Sequence, residues 1–245
     1  MKDLKFISKD IREKLGMNIS PVGVLLTDSI PEDAFHFKKK GSGCIATMIY
    51  NSSKGKIIAF DENTTGLPCS AFYLGYSDWI FDGIEQFLSN ECVWGREPER
   101  FIKTPEMAKK FVDSYLHKPH RKGAVVFKPL EFFKGNEKPE LVIFFVNADQ
   151  ISALQYLIGF EAPREERIVS RFASACMSIF TVPMEYAQRC EKKAVWGFHD
   201  ISQRSKIPKE ITSMTFTFPL FEEICQNLDE SFLSTEHWEK LKERN

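Results

Sequence analysis

At 245 residues and 43% hydrophobic composition, the chain is long enough to bury a full core as one large domain or two closely packed lobes. Lys+Arg 33 against Asp+Glu 34 gives a formal net charge of -1, without the basic stripe that phosphate neutralisation demands of a nucleic-acid binder. No stretch approaches the roughly 18 apolar residues needed to span a bilayer, and the N-terminus lacks the continuous apolar core of a signal peptide. The expectation is a cytoplasmic protein with neither a membrane nor a nucleic-acid partner.

Six cysteines, Cys44, Cys69, Cys92, Cys176, Cys190 and Cys225, are widely spaced with no CxxC pair, so thiols in a reducing compartment are expected and structural zinc is not. Twenty-two Phe predict a thick, rigid core.

In chain order, Leu4, Ile7, Ile11 and Leu15 recur at helical spacing, and Gly16 can end that helix. Pro21 to Leu26 reads as a buried strand, Asp28 to Gly43 as a polar loop carrying the run Lys38-Lys39-Lys40, and Lys56 to Phe60 as a strand. Cys44 to Tyr50 fits a short helix or a strand, with the helix favoured. Thr64 to Phe72 is a Gly-Pro turn feeding a helix start, where free amides should depress the Cys69 pKa. Ser77 to Arg100 reads as a helix plus an aromatic, acidic loop able to act as a lid. Thr104-Pro105 opens a further helix. His117 to Lys122, the second basic cluster, reads as a solvated connector.

Ala124 to Phe127 and Leu141 to Val146 are strands, the second apolar throughout and so covered on both faces. Asn147 and Gln150 form a capping box for the helix that follows. A strand running into a helix start is also where mostly parallel sheets place anionic ligands. Met214 to Phe218 alternates as a strand with one dry face, and helices are expected over Leu220 to Leu228 and from Ser234 onward. No internal repeat or low-complexity segment interrupts the chain. The fold class is α+β or α/β: a mixed sheet flanked by helices in one domain, 1–245, with lobes 1–122 and 123–245 as the alternative division.

Chemistry-bearing side chains concentrate between Arg171 and Lys206. There a small-residue helix start carries Cys176, a strand covers Ala194 to Trp196, and a polar turn runs from Gly197 through His199, Asp200 and Ser202 to Arg204. Taken in order, Pro21-Val22-Gly23-Val24, Cys44, Leu67-Pro68-Cys69-Ser70-Ala71, Val125 to Leu130, Asn147-Ala148-Asp149-Gln150 and Gly197-Phe198-His199-Asp200 give the chain its character. In these blocks it resembles the domain of unknown function 169 family over nearly its whole length. The resemblance implies cysteines at three places: near Cys44, in a CPGG-like turn near Leu67 to Ser70, and in the helix near Cys176. Here that turn reads Leu-Pro-Cys-Ser, its cysteine displaced by two positions, and Gly197-Phe198 stands where some members show Gly-Cys. An aspartate, a serine and an arginine of the closest branch are matched by Asp200, Ser202 and Arg204.

Three functional readings follow. The favoured one is a protein, expected to be a homodimer, that binds a small anionic or planar ligand near the 197–204 turn. Its ligand-binding side chains would be His199, Asp200, Ser202, Arg204, Arg171, Asn147 and Cys69, with arginine forks for a carboxylate or phosphate. The first alternative is a metal- or thiol-dependent enzyme using Cys44, Cys69, Cys176 and His199. The second makes the turn a structural dimer interface. No motif names a cofactor or a reaction.

Overall fold

The computed structural model of the chain describes residues 3–38, 43–115 and 123–243. Lys39, Lys40, the His117 to Lys122 cluster and Arg244 lie outside the described residues. The amphipathic opening forms α1 (Leu4–Leu15), which buries Leu4, Ile7, Ile11 and Leu15 and ends at Gly16 in a left-handed conformation. β1 (Val22–Thr27), α2 (Ile45–Ser52), β2 (Ile58–Phe60), α3 (Pro68–Leu74), α4 (Ile84–Leu88) and α5 (Pro105–Asp113) follow. Then come β3 (Ala124–Pro129), β4 (Leu141–Val146), α6 (Ala148–Gly159) and β5 (Ile168–Val169). A π-helical segment, Met177–Thr181, runs into α7 (Val182–Gln188). β6 (Ala194–Gly197), α8 (Ile201–Arg204), β7 (Thr212–Thr217), α9 (Phe218–Gln226) and α10 (Glu236–Lys242) complete the chain.

The strands form one open sheet in the order β2-β3-β1-β4-β7-β6-β5. β5 and β6 pair in parallel, and every other pair is antiparallel, so the sheet is mixed. β1 lies between β3 and β4, which interleaves strands from the two halves of the chain.

The all-apolar β4 sits at the centre, with each of its residues buried. Leu141, Ile143 and Phe145 face a cluster covered by α2 and by the helical stretch carrying Cys176, Ile179 and Phe180. Val142, Phe144 and Val146 face the opposite cluster, built from α1, α6, α9 and Trp238 of α10. Two points differ from the sequence expectation. β7 alternates as predicted, but its polar face is not wet: Ser213, Thr215 and Thr217 are all fully buried, and Thr215 Oγ1 donates to the Ile179 carbonyl at 3.3 Å. The 197–204 segment is not a plain turn, because Ile201 to Arg204 closes one helical turn capped by Asp200.

The helical stretch can lie against β6 because Gly197 has no side chain. A Cβ there would lie 2.5 Å from Ser178 Oγ and closer still to Ser178 Cβ. The next residue, Phe198, is held at φ 66° and fully buried. A left-handed conformation costs a non-glycine residue about 1–2 kcal/mol. It is offset by a hydrogen bond from the Phe198 amide to Ser178 Oγ at 2.9 Å and by packing of the ring on Phe145, centroids 6.0 Å apart. Gly197→Ala is therefore expected to lower stability by about 1–3 kcal/mol through overpacking, with Ser178→Ala unable to relieve the Cβ clash. Urea unfolding of the two variants and the double variant measures this.

Candidate functional site

Three helix starts meet on the face covered by α2. Cys44 is the N-cap of α2, Cys69 is the second residue of α3, and Cys176 stands in the first turn of the stretch that becomes the π-helical segment and α7. Hydrogen bonds tie the three starts together. The Leu67 amide donates to the Gly43 carbonyl at 3.2 Å, joining the loops ahead of α2 and α3. Thr181 Oγ1 donates to the Tyr73 carbonyl at 2.7 Å, joining α3 to the helical stretch. The Ala175 amide donates to Asp200 Oδ2 at 3.1 Å, while Asp200 Oδ1 accepts from the Ser202 amide at 3.0 Å and from Ser202 Oγ at 2.6 Å. One carboxylate thus caps two helices and bolts α8 to the helix start beside Cys176.

Cys44 packs against the core cluster that contains Cys176, Cys69 packs on the neighbouring cluster of Phe72, Ile80 and Val112, and the three thiols differ sharply. Cys44, half-buried, is brought down to about 7. The main cause is a hydrogen bond from the Cys176 thiol; the Ala46 and Thr47 amides at the start of α2 add to it, and burial and the Asp200 charge oppose it. Cys176, 5% exposed, is pushed up by that same hydrogen bond, by burial and by the charges of Cys44, Cys69 and Asp200. Cys69 goes up to about 11, because burial outweighs its position beside free amides and the Cys44 charge reinforces the effect. The depressed Cys69 pKa expected from the helix start is thereby corrected, and the lowered thiol is Cys44.

Two further residues join the group. Tyr73, one turn after Cys69 on α3, is pushed up by burial, with Ser174 opposing the shift. Glu99 is raised by burial and then by the Asp200 charge. It brings the 77–100 segment, fixed by the Glu99 amide on the Phe87 carbonyl at 2.8 Å, into the field of the site. The Cys69–Tyr73 spacing of four places both on one helix face and was readable from the sequence. Glu99 carried no such signal.

The other expected residues go elsewhere. His199 packs edge-on against Trp196, ring centroids 5.2 Å apart, and partial desolvation followed by the Arg204 charge lowers its pKa. Trp196 alternates with Gly197 along β6, so this stack lies off the face opposite Ser178. Arg204 donates one guanidinium nitrogen to the Ile211 carbonyl and another to the Lys209 carbonyl at 2.6 Å. Arg171 donates to Tyr186 Oη at 2.5 Å and pairs with Glu185 at 3.9 Å. Asn147 accepts from the Gln150 amide at 3.0 Å in a full capping box, on the helix α6 that covers the opposite face. Among the described residues, no group of three His, Cys, Asp or Glu side chains is placed to hold a metal ion. Two surface cavities, of about 480 and 360 Å³, are lined by Glu165 to Arg167 with Glu191 to Lys193, and by residues around Arg12 and Lys242. Neither is lined by residues 197–204.

Arg204→Ala should accordingly destabilise the protein by about 1–2 kcal/mol, the worth of charged hydrogen bonds to half-exposed main-chain carbonyls. A urea midpoint unchanged from wild type would show that the two carbonyls do not depend on this side chain.

The family model for DUF169, described as uncharacterised ArCR, matches residues 10–227 of the 245. No curated protein and no solved structure matches the chain. Among the described residues no helix is long and apolar enough to cross a membrane.

Proposed function

For a chain that belongs to the DUF169 family, whose description names no activity, we propose a reactive-thiol protein in which Cys44 is the nucleophile and Cys176 its hydrogen-bond partner. What supports this reading is the lowered Cys44 thiol at the N-cap of α2, packed against the core cluster that contains Cys176. A thiolate is the attacking form, and one formed near neutral pH combines useful population with good nucleophilicity. Cys44 is also the accessible member of the pair, since it is half-buried and Cys176 is buried.

The neighbouring groups divide the remaining work. Asp200 positions the helix start that carries Cys176, and its charge helps keep that thiol protonated. Cys69 stays protonated at neutral pH. Tyr73 stays protonated as well. Ligand binding through the Arg204 fork has less support, because that fork already serves two main-chain carbonyls.

Alkylation by iodoacetamide tests the proposal, with the exposed Cys92 and Cys190 replaced by serine to remove background. The expected rate at Cys44 rises with a midpoint at about 7, set against Cys176, Cys69, Tyr73 and the Asp200–Glu99 carboxylates around it. Cys176→Ala removes the donor and should move the midpoint up towards the ordinary thiol value, by about one unit or more. Equal slow labelling of Cys44 and Cys69 at neutral pH, or a midpoint unmoved by Cys176→Ala, would overturn the reading.

A further inference from the structure

We propose that the groove between α1 and α10 binds the phosphate group of a small phosphoester. The groove is a cavity of about 360 Å³ whose lining includes Lys9, Arg12, Glu13, Asn18 and Lys242, a volume at the lower end of small-molecule sites. Lys9, Arg12, Glu13 and Gly16 recur at helical spacing, so they form one stripe along α1, apart from the buried Leu4, Ile7, Ile11 and Leu15. The other wall comes from α10. Trp238 Nε1 donates to the Lys14 carbonyl at 2.6 Å and pins that helix to the end of α1, while Lys242, one turn beyond Trp238, lays its stem over Gly16. A Cβ at Gly16 would lie 2.8 Å from Lys242 Cγ, so glycine leaves the room that the stem takes.

The fold matches the cations of this groove incompletely. Arg12 Nη1 donates to Ser20 Oγ at 3.2 Å and stands 3.7 Å from Glu131, whose two carboxylate oxygens already accept from Ser8 at 2.7 Å and from Ser20 at 2.5 Å. Arg12 Nε is buried with no hydrogen-bond partner among the described residues. The guanidinium is therefore oriented by Ser20 and Glu131 without all of its donors being engaged. Lys9 lies 3.7 Å from Glu13 with both side chains exposed, a pair worth little in water, and Lys242 pairs with the half-exposed Glu239 at 2.8 Å. Across the lining, three cations face one carboxylate, and the excess of two positive charges complements a phosphate monoester of about −2 charge. Arginine offers a planar fork and the lysines compact point charges, and the terminal oxygens of a phosphate can use both. The larger cavity differs. There Arg167 bonds to Glu165 and Glu223, Lys192 to the same Glu223, and Lys193 to the Glu166 carbonyl, so its cations are already engaged.

Equilibrium dialysis of the full chain at neutral pH against inorganic phosphate, and separately against glycerol phosphate, tests the site. Saturable binding of a single anion per chain is expected for both probes, weakening as salt is added. Lys9→Gln combined with Lys242→Met removes two cations while keeping an apolar stem over Gly16, and should weaken binding by about tenfold or more. Arg12→Lys keeps the charge and loses the fork, so a smaller weakening is expected. Lys103→Gln combined with Lys110→Gln makes the same change in net charge at exposed positions outside the groove and should leave binding unchanged. Absence of saturable binding, or equal weakening by the two double variants, would overturn the site. Binding of free phosphate with exclusion of glycerol phosphate would overturn the phosphoester.

Discussion

The approach of Gly197 to Ser178 is the constraint from which the site follows. Without a side chain at that strand position, the helical stretch lies directly on β6 and β7, and the Ser178 hydroxyl replaces the missing bulk with a hydrogen bond to the Phe198 amide. The helix start is then at the right depth for the Ala175 amide to meet Asp200, and Cys176 is carried into the cluster against which Cys44 packs. The local expense is a phenylalanine in left-handed backbone, set against burial of its ring, which contributes about 1.5–3 kcal/mol. Closely packed interiors transmit small displacements, so a methyl group added on β6 is felt at a sulfur on another element.

The electrostatics of the site come from unequal sharing among similar groups. Cys44, Cys69 and Cys176 each begin a helix, and a helix start favours a negative charge. Only one of them can hold that charge at moderate cost, because a second thiolate would be both desolvated and repelled. Cys44 takes it, because Cys176 and the Ala46 and Thr47 amides together lower its pKa. The charge it carries then helps keep Cys69 and Cys176 protonated. The Asp200 charge disfavours the anions of Cys44, Tyr73, Cys176 and Glu99. A thiol that ionises readily and one that keeps its proton are thus distinguished by their surroundings alone.

Much of the architecture is legible in the residues. The 3.6-residue spacing of α1, the apolar run of β4, the Asn147–Gln150 capping box and the Thr104 and Thr235 caps each appear where local chemistry puts them. β5 was missed, since two residues at a sheet edge carry no periodicity. The polar face of β7 was misjudged because serine and threonine pack under a helix as readily as they meet water when their hydroxyls reach a carbonyl, as Thr215 does. For the site, Cys44, Cys69, Cys176 and Asp200 were all picked out, but their roles were not. A lowered thiol depends on which side chain supplies the donor, and that donor lies 132 residues away (Cys44 to Cys176). Arg204 was read as an outward-looking fork and is instead used on its own backbone, across the α8–β7 connection, while Asn147 caps α6 as the capping box predicts.

The central claim is that surroundings split three thiols into one that ionises near neutral pH and two that stay protonated. A pH titration of isotopically labelled cysteine β-carbons, followed by NMR, resolves each thiol separately. The account predicts that Cys44 titrates first, at about 7, with Cys69 following at about 11 and Cys176 staying protonated above its ordinary range. Titration of all three together at the ordinary thiol value, or of Cys69 ahead of Cys44, would contradict it.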